Sequence, residues 1–204
     1  ITEVMYMLSF QEVIQKRRTN YALGKHIPVS QDQIIKTIRS VVPEVPSAFN
    51  MQSGNIIVAF GENHQKIWDI TKKILKRIVP PENFSTTESK IDSFAAAYGT
   101  ILYFDDTQII KQMQEQYALY ADNFPVWGQQ ANGMMQFALW SALSELGLGV
   151  NLQHYNPLID EEIKKAFQVP ESWKLIAQMP FGEAVNQPDP IQKKSVDERV
   201  LIFK

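Results

Sequence analysis

The chain contains no cysteine. That excludes disulfides, thiolate nucleophiles, Cys-ligated zinc and Cys-ligated iron–sulfur clusters. Histidine is nearly as scarce: His26, His64 and His154 are the only three. None sits in H-E-x-x-H or another ligand-pair spacing, so no metal site is expected. G-x-S-x-G, Walker A and G-x-G-x-x-G are all missing, and Gly147-Leu148-Gly149 is too short for a dinucleotide fingerprint. Asp105-Asp106 reads as a helix cap rather than an acid–base pair. Neither sign of charge is in excess: 20 Lys+Arg stand against 22 Asp+Glu, a net charge of -2. A general nucleic-acid binder would carry a basic excess or stripe, so no nucleic-acid partner is expected. No apolar run approaches the roughly 18 residues that span a bilayer, so no membrane partner is expected either. Residues 1–10 include Glu3 and lack a basic n-region and a small-residue cleavage site, which argues against a signal peptide. The expected compartment is the cytoplasm.

What is present is a core. Hydrophobic residues make up 45% and aromatics 11% of 204 residues, which suits one domain, and no repeat or linker divides the chain. Ser9 and Glu12 form a capping box ahead of Phe10, Val13 and Ile14 at helical spacing. Ser30 and Gln33 form a second, followed by Ile34, Ile35, Ile38, Val41 and Val42 and stopped by Pro43. Residues 55–60, NIIVAF, read as a buried strand closed by Gly61. Residues 63–79 form an amphipathic helix with Ile67, Ile70, Ile74 and Ile78 on one face, stopped by Pro80-Pro81. Residues 98–104 read as a second strand, and helix follows over 107–117. Residues 121–130, ADNFPVWGQQ, at the start of the longest helix, read as an irregular stretch. That helix, over 127–146, is apolar almost all round, so it is buried on most sides, in the core or against a second subunit, and Gly147 ends it. A short helix covers 160–167, a strand 173–182, and a polar arm leads to a β-like ending, RVLIFK, over 199–204. The fold class is α+β: helices around a small central sheet. The terminal strand either completes its own sheet or reaches a partner's, and the long apolar helix favours a dimer.

Three polar segments lie beside apolar structure. The first is Arg17-Arg18-Thr19-Asn20. Arginines at a helix C-terminus are favoured by the macrodipole, yet guanidinium forks also suit a phosphate. The second runs from Ser47 through Asn50 to Gln52, and a Ser cap on a short helix would account for it as well as a binding site would. The third, residues 146–156, contains Leu152, Gln153 and His154, and a helix stop followed by a packed loop is its plain alternative. With no catalytic arrangement visible, either a cofactor supplies the chemistry or the protein only binds.

The order of these segments is distinctive. A capped helix ends in R-R-[ST], P-S-x-x-N-x-Q precedes a strand, a long apolar helix closes on L-G-L-G, and a basic C-terminal arm follows. This series resembles the nitroreductase family over nearly the whole chain. NLQHYNP at 151–157 and the ending DERVLIFK are most similar to its compact branch from bacteria and yeast.

The resemblance implies a nitroreductase-like fold: a mostly antiparallel sheet surrounded by helices, with the C-terminal strand exchanged in a homodimer. It implies FMN at the subunit interface, with NADH or NADPH delivering hydride to flavin N5 and a small-molecule acceptor, nitroaromatic or quinone-like, taking it in turn. Arg17 and Arg18 are expected near the FMN phosphate and ribityl chain, with Thr19 and Asn20 beside them. Ser47, Asn50 and Gln52 are expected from the partner subunit. Leu152, Gln153 and His154 are expected along the flavin ring, with backbone N–H near Gln153 and His154 aimed at it. Lys194 (or its neighbour Lys193) and Arg199 are expected to finish the phosphate site. Phe84, Phe94, Tyr117, Tyr120, Phe124 and Trp127 are candidates for an aromatic lid, though core packing accounts for most of them. Two departures stand out. Gln52 is followed by Ser53-Gly54 where many relatives have Pro-Trp, and Tyr21 stands where many have a basic residue. A flavin-binding sensor or carrier without turnover would need the same arginines.

Overall fold

The computed structural model describes residues 8–204. The first helix, α1 (Phe10–Lys16), carries the full capping box: Ser9 accepts from the Glu12 N–H, and the Glu12 carboxylate accepts from the Ser9 N–H at 2.7 Å. A two-residue strand β1 (Leu23–Gly24) leads to α2 (Gln31–Val41), where Ser30 caps the Gln33 N–H at 3.2 Å. Strand β2 (Gly54–Phe60) runs into α3 (Gly61–Ile78), and Gly61 at φ 55 makes the left-handed corner. Helix α4 (Pro81–Ala95) follows directly. Pro80-Pro81 ends α3, as its sequence implies. Pro81 also opens the next helix, because a first-turn residue needs no N–H. Lys72 on α3 is tied to Asp92 on α4 by a hydrogen-bonded ion pair.

Strand β3 (Gly99–Asp106) is followed by α5 (Thr107–Gln116), capped by the Asp106 carboxylate, which accepts from the Gln108 and Ile109 N–H groups. The expected irregular stretch is instead one of 3-10 turns over Ala118–Asn123 and then helix. The long helix α6 (Phe124–Glu145) starts three residues earlier than its apolar pattern suggests, with Pro125 in its first turn. It ends in a Schellman motif: Gly147 at φ 81 donates to Ser144 O, and Leu148 donates to Leu143 O. Then come β4 (Gly149–Val150), α7 (Asp160–Phe167) and β5 (Trp173–Ala184). The expected final strand finds no ladder among the described residues. Residues 201–204 are irregular, and Val200, Leu201, Ile202 and Phe203 stand exposed.

The sheet has the order β1-β5-β3-β2, with β4 also on β5, and these four strand ladders are antiparallel. Strand β3 is central and buried on both faces. Ile101 and Tyr103 on one face pack with Met179 and Phe181 against Ile34 and Ile38 of α2 and Met135, Leu139 and Leu143 of α6. Leu102 and Phe104 on the other pack with Leu175 against Ile67 and Trp68 of α3, Ile91 and Phe94 of α4, and Ile163 of α7. The fold is α+β, a sheet between two helical layers.

One polar residue sits in the second layer. His64 is buried, its Nε2 lies 3.1 Å from Ala95 O and its Nδ1 2.8 Å from Thr100 Oγ1. The carbonyl requires a donor, so Nε2 carries the proton and Nδ1 accepts from the threonine hydroxyl, which accepts in turn from Trp68 Nε1 at 3.0 Å. Neutral imidazole satisfies every partner. Burial lowers the His64 pKa from its ordinary 6.5, outweighing the hydrogen bond to Ala95 O. The unfolded chain therefore takes up this proton at higher pH than the folded chain, so stability is fully present above about pH 6.5 and falls as pH drops below it. Urea unfolding measured from about pH 7.5 down to about pH 5 should show that decline. It should be flatter in His64→Gln, which separates it from Asp105, whose burial-raised pKa acts with opposite sign.

Candidate functional site

Arg17 is the C-cap of α1, its N–H donating to Val13 O at 2.8 Å. Beyond it the chain is stitched into the sheet. Thr19 bridges in parallel to Val150, and the Asn20 N–H donates to Val150 O at 2.9 Å. Asn151, fully buried, donates from Nδ2 to Asn20 O at 2.8 Å and accepts from Gln153 Nε2 at 2.9 Å. Gln153 exchanges both backbone bonds with Gln178 of β5, at 2.7 and 2.9 Å. The buried Gln178 side chain then accepts from the Tyr155 N–H at 2.7 Å and donates to Asn156 Oδ1 at 3.3 Å. Segments 17–20 and 151–156, distant in sequence, are thus fixed to one another and to β5.

The two arginines diverge. The Arg17 guanidinium lies over the Trp140 ring of α6, 4.6 Å from its centre. Arg18 donates to the main-chain oxygen of Asp189 in the arm. Neither pairs with a carboxylate among the described residues. Burial first, and then the adjacent Arg18 charge, lower the Arg17 pKa, but a guanidinium stays charged. A cavity of about 760 Å³ is lined by residues 17–22 and by residues 186–189 and 191 of the arm. A second, about 370 Å³, opens beside it between Arg17, Thr19, Gln136, Trp140 and Leu152. The indole N–H of Trp140 is buried without an acceptor among the described residues. The chemistry of this concave patch is cationic and donor-rich, suited to a phosphorylated ligand.

The other expected residues lie apart. The Ser47 hydroxyl accepts from the Gln52 N–H at 3.0 Å, and Phe49, Asn50 and Gln52 hold left-handed φ of 54°, 52° and 49°. Asn50 and Gln52 are exposed, and neither cavity beside Arg17 includes Ser47, Asn50 or Gln52. Lys193, Lys194 and Arg199 are exposed on the arm and line neither cavity. The Gln153 N–H is committed to Gln178 O. N–H groups alternate sides along an extended chain, so those of Leu152 and His154, not Gln153, face away from β5.

The aromatic candidates divide. Phe94 is core, its ring tilted against Trp68 at 5.1 Å between centres, and Phe84 lies under Lys76. Tyr117, Tyr120, Phe124 and Trp127 do gather, around a residue the sequence reading passed over. Phe49 lies 4.6 Å from Tyr117, 5.4 Å from Phe124 and 5.9 Å from Trp127 by ring centres. Trp140, Asn151 and Gln178 were also missed. Trp140 was absorbed into the apolar pattern of its helix, and the two amides show their value only through their partners.

The family model for nitroreductases matches residues 14–183. The chain belongs to the nitroreductase family, a family of oxidoreductases. It is 30% identical over 197 residues to the putative nitroreductase HBN1 of Saccharomyces cerevisiae, covering 96% of this chain and 97% of the relative. Among solved structures it is similar to the nitroreductase CinD from Lactococcus lactis in complex with chloramphenicol, with TM-score 0.88 and 42% identity over 96% of this chain and all of that one. The complex of CinD with 4-nitrophenol gives TM-score 0.87 and 43% identity over the same shares of the two chains.

Asn151 joins the two halves of the cationic patch, so its loss should be felt. Asn151→Ala leaves Asn20 O and Gln153 Nε2 without these partners and should cost about 1–3 kcal/mol, read as a lowered urea midpoint at unchanged slope.

Proposed function

We propose that the protein is an FMN-dependent NAD(P)H oxidoreductase that reduces nitroaromatic or quinone-like acceptors. The observation that carries this reading is the pair Arg17 and Arg18, charged, unpaired with any carboxylate among the described residues and lining a concave patch. Family membership supports it, and so do the nitroaromatic compounds with which the Lactococcus lactis relative was solved.

The residues present fit FMN. Arg17 and Arg18 offer two guanidinium forks to a phosphate dianion. Thr19 and Asn20 supply neutral polar groups beside them. The outward N–H groups of Leu152 and His154 are main-chain donors for a ring carbonyl or nitrogen, where preorganised dipoles stabilise developing negative charge. Bound FMN supplies the hydride relay between NADH or NADPH and the acceptor. The protein orients the ring, clamps the phosphate and excludes water, and no side chain need act as acid or base.

Ser47, Asn50 and Gln52 join this site from the partner in a homodimer, with Lys194 and Arg199 completing the phosphate clamp. Exposed apolar groups favour such an assembly: Phe10 and Ile14 on α1, Met134 and Phe137 on α6, and Val200 to Phe203 at the terminus. The terminal strand exchanges onto the partner's sheet. Among the described residues β2 is an edge strand, and its Ile56, Val58 and Phe60 border an apolar groove with Ile35, Ile38 and Val42. An exposed edge and an unpaired apolar strand satisfy one another's main-chain groups.

The visible absorption spectrum tests the cofactor. Flavin bands should survive gel filtration with added FMN and bleach anaerobically with NADH or NADPH. Retained flavin that does not bleach would leave a sensor or carrier, and no retained flavin would end the FMN reading. Arg18→Ala should weaken FMN binding about 10- to 100-fold, the worth of one charge-assisted contact. Deleting residues 200–204 should shift sedimentation from dimer to monomer at micromolar concentration. An unchanged dimer would remove the exchanged strand from the proposal.

A further inference from the structure

Arg17 and Arg18 are neighbours with the same charge, but the fold treats them differently. Arg18 spends a donor on the Asp189 carbonyl. Arg17 meets the flat face of Trp140 instead. A guanidinium held by a ring face keeps its N–H donors, which lie in its own plane, free at its edges. A carboxylate partner would occupy that fork and neutralise it. The ring face does neither.

The ring is itself well fixed. Trp140 stands on the 22-residue α6 between Leu139 and the buried Ser141, and it packs against the core cluster of α2, β3 and α6. It lines the same cavity as Arg17, Thr19 and Leu152, and its buried N–H has no acceptor among the described residues. A long, flexible arginine is thus laid against a rigid surface, and the rotamer freedom it would lose on binding a ligand is already reduced.

We infer that Trp140 is a positioning residue for Arg17: its indole face holds the guanidinium so that the whole fork is presented to the cofactor phosphate. This rests on the reading of Arg17 as a ligand of FMN. It makes the helix α6 part of the anion site, and it separates the arginines into one presented by a ring and one shared with the arm.

The test is a double-mutant cycle on Arg17→Ala and Trp140→Leu, with Trp140→Phe as the conservative variant. FMN dissociation constants from flavin fluorescence are one readout, and urea midpoints of the ligand-free chain are the other. Trp140→Leu should weaken FMN binding roughly 3- to 30-fold. The double variant should bind no more weakly than Arg17→Ala alone, and Trp140→Phe should keep most of the affinity. Wild-type affinity in Trp140→Leu, or losses that multiply in the double variant, would overturn the inference. If the wild-type chain binds no FMN, the cofactor reading is what fails. The pairing is then judged on the urea midpoints, where non-additivity between the two positions upholds it and strict additivity overturns it.

Discussion

Strand β5 has both of its edges in use, and the position of everything else follows from how tightly it is crossed. β3 runs along it from Gly99 opposite Phe181 to Asp106 opposite Trp173. β1, β4 and Gln153 also take its backbone groups. At Gly182 there is no space for a side chain: a Cβ would lie 2.3 Å from Gly24 O and 2.8 Å from the Tyr98 nitrogen. At Gly149 a Cβ would come within 2.9 Å of Ala184 Cα. These contacts let β4 and β1 close on β5, and β4 in turn accepts the chain leaving α1 through Val150. The cationic patch is therefore an outgrowth of the sheet, not a free loop, and a site mounted on a ladder holds its groups more tightly than one on a mobile connection.

Helix α6 is the second organiser. Met135, Leu139 and Leu143 face the sheet, while Met134 and Phe137 face outward. A helix apolar on both sides suits a position between its own core and another surface. Its length matters as well. At about 1.5 Å rise per residue, the step from Trp127, against Phe49, to Trp140, against Arg17, is roughly 20 Å along the axis. One helix thus spaces an aromatic nest from a cationic cradle within the same chain.

Much of this was legible because periodicity and caps are local. The capping box at Ser9, the apolar stripe of α3, the Asp106 cap and the Gly147 stop could each be read from a few neighbouring residues. Helix α4 escaped because its buried face is only Ile91, Phe94 and Ala95 behind a run of Ser, Thr and Glu, so no stripe shows. β1 and β4 are two residues each, too short for any alternation, and exist because β5 accepts them. The arginine segment was found from its charge, and its neighbours in space were partly found by resemblance. What no local pattern carries is the choice of partner: that Asn151 holds Asn20, that Gln178 gathers 153, 155 and 156, or that Trp140 turns its face to Arg17. Those facts are made by chain crossing, and Trp140 in particular reads as one more apolar residue of a buried helix until the guanidinium is seen above it.

The left-handed stretch at residues 49–52 shows where the packing energy of the nest is spent. Non-glycine residues at positive φ cost of order 1–3 kcal/mol where the conformation is strained, and three of four positions here adopt it. Phe49 offsets this by burying half its ring among Tyr117, Phe124 and Trp127, a cluster in which aromatic pairs contribute about 0.5–1.5 kcal/mol each beyond area. The result of that trade is local: it turns Asn50 and Gln52 outward, with Gln52 held by Ser47, rather than inward to their own core. An exposed amide pair presented by a strained, aromatic-anchored turn makes, among the described residues, only the local bond from Gln52 Nε2 to Asn50 O at 3.4 Å, and it lines neither cavity beside Arg17. In the proposed homodimer that amide pair is carried to the other subunit's site, which gives a physical reason for the strain that a solitary chain does not.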